Sequence, residues 1–86
     1  MTADEARLNA LKKYEEDYRS SVRLMENAVE LVSHSGEQMA WGLVPTSVAR
    51  SVKAAMEAKG FHTLVSTEID KLTGEESKDS IITVEW

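Results

Sequence analysis

The chain has 86 residues, so it holds one domain, and a core this small is marginal without help such as self-association. Apolar residues make up 42% and charged ones 29%, ordinary for a folded protein, while the absence of cysteine excludes disulfides, thiolate zinc sites and thiol nucleophiles. The net charge of −5 is spread evenly, with five basic and eight acidic residues before Pro45 and five and seven after it, which argues against a phosphate-binding basic lobe. No apolar run reaches a membrane span and the first residues lack a signal-peptide core, so the expectation is a cytoplasmic protein without membrane attachment.

Thr2-Ala3-Asp4-Glu5 reads as a capping box that opens a helix, with acidic side chains at the positive end of its dipole. Nothing breaks this helix until Gly36, preceded by Ser33-His34-Ser35. That predicts about thirty residues of helix, or roughly 45 Å. Leu11, Tyr18, Met25 and Val32 recur every seven residues, and Leu8, Val22 and Val29 form the companion row, broken only by Glu15. The seam is narrow up to Ser21. Beyond it Leu24, Ala28 and Leu31 add a second ridge. A narrow stripe suits a partner helix and a broad one suits a core. The first half is therefore expected to pack on another copy, with Leu8, Leu11, Tyr18, Val22 and Met25 as the oligomer interface, and the second half on its own sheet.

Residues 37–44 alternate, with Met39, Trp41 and Leu43 on one face, and predict a short strand stopped by Pro45. Thr46 or Ser47 is expected to cap a second helix, with Val48, Val52, Ala55 and Met56 inward and Gly60 as its stop. Residues 61–69 form a strand, residues 70–76 a polar hairpin tip, and residues 80–86 the last strand. A right-handed crossover sets the first two strands parallel, and the hairpin adds an antiparallel partner. Ile82, Val84 and Trp86 share a face, and covering it together with Met39 and Trp41 would put both indoles in one core. The fold class is α+β: a long N-terminal helix (1–36) followed by a β-α-β-β unit with a three-stranded sheet (37–86).

No motif for catalysis emerges. There is no phosphate loop, HExxH or GxSxG, and the only histidines, His34 and His62, sit at a helix exit and on an outward strand position. Residues 70–76 lack the ligand pattern of a calcium loop. We expect no enzyme activity, no metal and no cofactor. The start of the second helix, with Thr46, Ser47 and Arg50, is the one place where free N–H groups and a cation could meet an anion.

Two resemblances bear on function. The segment from Val44-Pro45-Thr46-Ser47 through Arg50 to Ala58-Lys59-Gly60-Phe61, followed by a hairpin, resembles the recognition helix and wing of winged-helix DNA-binding domains. Lys59-Gly60-Phe61, Leu72-Thr73-Gly74-Glu75 and the closing Ile81-Ile82-Thr83-Val84-Glu85-Trp86 resemble small tailed-phage accessory proteins, over residues 37–86. The second resemblance implies a binding protein that targets a host enzyme or defence component, or captures a small ligand. The leading expectation is a homo-oligomer that inhibits a host protein. The alternatives are a sponge for an anionic nucleotide, held near Thr46, Ser47 and Arg50, and a DNA-binding protein.

Overall fold

A computed structural model describes residues 1–86. The elements run α1 (Ala3–His34), β1 (Met39–Pro45), α2 (Thr46–Ala58), β2 (His62–Ile69) and β3 (Glu76–Glu85). The Thr2 hydroxyl accepts from the Glu5 N–H at 3.2 Å, as the capping box requires, and Gly36 leaves the helix with φ +82°. At the end of α2 the Phe61 N–H donates to the Met56 carbonyl and the Gly60 N–H to the Glu57 carbonyl, with Gly60 at φ +96°. That pairing satisfies the last carbonyls and needs a residue free to adopt positive φ.

The sheet order is β1-β3-β2, and both pairings are antiparallel. β1 and β2 run parallel as expected, but β3 lies between them instead of extending the sheet from β2. Composition explains the choice. Pro45 has no N–H to donate and Gly42 offers no side chain, so β1 suits an edge. β3 alternates Ser80, Ile82 and Val84 inward, each almost fully buried, and occupies the centre.

One layer of two helices covers one face of this sheet. The core is Met25 of α1, Ala40 and Val44 of β1, Val48, Ala49, Val52 and Met56 of α2, and Ile82 and Val84 of β3. Tyr18, Val22, Val29, Val32, Phe61 and Val65 close its margins. Ser21 is buried, and the small side chain lets helices approach closely. Lys59 pairs with Glu26 at 2.6 Å and ties the end of α2 to α1. Overall extents are 51 × 32 × 18 Å, the long dimension set by α1.

Two expectations are corrected by this packing. Ala40, Gly42 and Val44 face the helices, while Met39, Trp41 and Leu43 face away. A Cβ at position 42 would stand 2.6 Å from Leu24 Cδ2 and 2.9 Å from Met25 Sδ, so the tips of two α1 side chains occupy the space that glycine leaves open. The smaller set of residues is buried because it admits the helix. Trp86 is only half-buried at 37% exposure. Its ring meets Phe61 edge-on at 5.8 Å, and its backbone N–H donates to the Gln38 carbonyl, so it seals the end of the sheet instead of filling the core.

Candidate interaction surfaces

The free end of α1 is the first surface. Tyr14 is the last contact toward the N-terminus that ties α1 to α2 by a side-chain hydrogen bond, through its hydroxyl and that of Ser51. The helix before it spans eleven residues, Ala3 to Lys13, or roughly 16 Å at 1.5 Å rise per residue. Leu8 and Leu11 are exposed there, Leu11 at 60%. Local pairs support the segment: Arg7 with Asp4 and Lys13 with Asp17, both at 2.9 Å. The hydrogen bond to Asp17, and then its negative charge, raise the Lys13 pKa.

Of the five residues expected at an oligomer interface, Leu8 and Leu11 are open to solvent, and Tyr18 and Val22 are half-buried against the chain's own core. Met25 is completely buried within one chain and presents nothing to a second. The heptad row continues without change in the sequence, but from Met25 onward it meets β1. The widened ridge is also narrower than expected. Ala28 packs, Leu24 remains nearly half exposed, and Leu31 is largely open.

The start of α2 is the second surface. Thr46, Ser47, Arg50 and Lys53 line an open groove of about 480 Å³, facing Thr67 of β2 and Glu76 of β3. The structure thus brings the three expected residues together and adds Lys53. It also places a carboxylate opposite the cations. Thr46 does not cap the helix, contrary to expectation. Pro45 occupies the N-cap and makes no side-chain bond, while the Thr46 hydroxyl donates to the Ser77 carbonyl at 2.7 Å and lies 2.8 Å from the Ser80 hydroxyl. Ser80, almost fully buried, also bonds Thr67 at 2.6 Å. This chain of hydroxyls fastens α2 to two strands and leaves no buried polar side-chain atom without a partner.

The third surface escaped sequence reading. The outer face of the sheet carries Met39, Trp41, Leu43, Leu64 and Ile81 without a covering layer, Trp41 at 63% exposure. Register places them in rows: Trp41 beside Thr83 beside Leu64, and Leu43 beside Ile81 beside Ser66. His62 and Glu85 share the row of Met39. The available signal was the pair of small residues Ala40 and Gly42, alternating with Met39, Trp41 and Leu43.

No group of three or more His, Asp or Glu side chains is placed to hold a metal ion, and no helix is long and apolar enough to cross a membrane. Comparison with protein-family models, curated proteins and solved structures finds no match.

Proposed function

We propose that the chain is a non-enzymatic binding protein that self-associates through the free end of α1 and offers its outer sheet face to a protein partner. The observation that carries this reading is that face: five large apolar side chains on three adjacent strands, all exposed. A contiguous apolar patch on a small protein marks an interaction site, because leaving it in water is unfavourable at about 25 cal/mol per Å². The arm supports the first half of the proposal. A free helix of eleven residues is marginal in water, and Leu8 and Leu11 on it gain a packing surface from a second copy.

A protein of this kind acts by occupancy, covering a surface its target needs. The resemblance to small phage accessory proteins supports a host or defence protein as the target class, with inhibition in the host cytoplasm as the proposed effect. The test immobilises the full chain and compares proteins retained from bacterial lysate by the wild type, by Trp41→Ser with Leu43→Ser, and by Leu11→Glu. A partner held by the wild type and by Leu11→Glu, but lost with the strand substitutions, is the expected result. Light scattering should show Leu11→Glu splitting the oligomer. A wild type that is monomeric at high micromolar concentration removes self-association from the proposal.

A second reading rests on the groove at α2, where Arg50 and Lys53 flank Thr46 and Ser47. It would hold an anionic nucleotide, and a thermal shift against a nucleotide panel tests it, since a ligand bound only to the folded state raises Tm with its saturation. DNA binding in the winged-helix manner draws support from the helix–hairpin order of α2, β2 and β3, and none from the net charge of −5.

A further inference from the structure

The outer sheet face ends in two shallow hollows of similar chemistry. At one end Glu37, Gln38, Met39, Glu85 and Trp86 line about 500 Å³. At the other, Leu43, Ser66, Glu68, Asp79 and Ile81 are among the residues lining about 230 Å³. Each joins apolar side chains to two carboxylates, and none of the four carboxylates takes part in an ion pair, all three of which lie elsewhere. Residues 39–45, 62–69 and 79–85 contain no lysine or arginine. Lys78 lies beyond, in a neighbouring hollow with Glu68, Asp70, Glu75 and Glu76, where acid still predominates.

We infer that the outer sheet face docks a cationic amphipathic helix of another protein, its apolar ridge on Trp41, Leu43, Leu64 and Ile81 and its basic side chains meeting Glu37 and Glu85 at one end and Glu68 and Asp79 at the other. This rests on the protein-binding reading above and specifies the partner's chemistry. The dimensions fit. Three strands at about 4.8 Å spacing place the outer two roughly 10 Å apart, and a helix with its side chains is about 10–12 Å wide. Asp79 and Glu85 are six residues apart on β3, or roughly 20 Å, which about 13 residues of helix cover. An extended segment would instead pair with the free edges of β1 or β2, where unpaired backbone groups lie. A second copy placed face to face brings carboxylate onto carboxylate, and nucleic acid brings phosphate onto carboxylate. Both juxtapositions oppose binding.

The test uses the full chain and two fluorescein-labelled 14-residue helical peptides with the same leucine positions, one carrying lysine and the other glutamate elsewhere. Anisotropy should show the lysine peptide binding at least ten-fold more tightly, and Trp41→Ser should weaken it about ten-fold. Reversing Glu37, Glu68, Asp79 and Glu85 to lysine should invert the preference. Reversing Glu15, Glu16, Glu30 and Glu57, exposed on the helices, should not, although the net charge changes equally. Circular dichroism establishes that each variant is folded, and if the quadruple face variant is not, the double reversals Glu37→Lys with Glu85→Lys and Glu68→Lys with Asp79→Lys take its place. Equal loss in both quadruple variants would assign the preference to bulk acidity and overturn the inference. Equal binding of both peptides that still depends on Trp41 would overturn the charge assignment and leave the face a binding site. Peptide binding indifferent to Trp41→Ser overturns the inference, and partner capture equally indifferent overturns the protein-binding reading as well. Self-association abolished by Trp41→Ser would give the face to a second copy.

Discussion

The two faces of the sheet have opposite fates, and hydrophobicity alone does not explain which is buried. The face against the helices is built from Ala40, Gly42, Val44, Thr63, Ser80, Ile82 and Val84, and the face in solvent from Met39, Trp41, Leu43, Leu64 and Ile81. On β1 the more apolar set is outside. Helix–sheet packing selects residues that leave room for the helix's side chains, and position 42 is an example, because the tips of Leu24 and Met25 fill the space a Cβ would take. Burial therefore reports the fit to a neighbour as much as the aversion to water.

The contrast can be broken most severely with two adjacent isoleucines. Ile82→Ala removes a fully buried side chain from the central strand and should cost about 2–5 kcal/mol. Ile81→Ala, one residue earlier on the open face, should cost less than about 1 kcal/mol. Denaturant melts of both variants measure the difference, and equal losses would contradict the assignment of faces. Gly42→Ala should follow, at about 1–3 kcal/mol from overpacking against α1. An unchanged midpoint there would mean that the Leu24 and Met25 side chains turn aside at no cost.

On the outer face Trp41→Ser should alter stability by no more than about 0.5 kcal/mol, although it removes the largest side chain of the strand. In a Trp86→Phe background, the Trp41 indole should emit at water-like wavelengths in the free protein, and blue-shifted emission would show a covered face. The smallest effect belongs to the arm. Lys13→Met should lower Tm only slightly at neutral pH, since Lys13 is exposed, its partner Asp17 only partly covered, and lysine on the N-terminal side is the weaker order on a helix. Because the pair raises the Lys13 pKa, any stabilisation it gives is complete at neutral pH and is lost as pH climbs through the ammonium's own range. The variant and wild type should thus converge at strongly basic pH.

Local signals made the elements legible. Thr2, Gly36 and Gly60 mark helix ends by backbone rules that operate within a few residues, and the elements lie within a few residues of their expected limits. Non-local choices were less legible. Alternation in Met39–Leu43 announces a strand but does not say which face meets a helix, because Leu24 and Met25, which pack on it, lie fourteen or more residues earlier. Thr46 has the composition of a cap, yet its hydroxyl bonds Ser77 and Ser80 across the fold. The five-residue seam on α1 was readable as a pattern. Where a continuous stripe changes from solvent to core depends on where β1 ends, which periodicity does not contain. The groove at Thr46, Ser47 and Arg50 was legible as a set, and Lys53 lies one turn further along the same helix.

The central place of β3 has a consequence for how the chain comes off the ribosome. Met39 pairs with Glu85 and Val44 with Ser80, so β1 waits some forty residues of synthesis for its only neighbour. β2 is made next and finds no partner either, since it shares no ladder with β1. At about 5–20 residues per second the first strand stands alone for several seconds. During that interval Ala40 and Val44, buried in the finished fold, are exposed with the rest of the half-made core, and the sheet forms after its middle strand emerges. The nascent chain in that window is the form most open to aggregation and to any chaperone that reads bare strand edges.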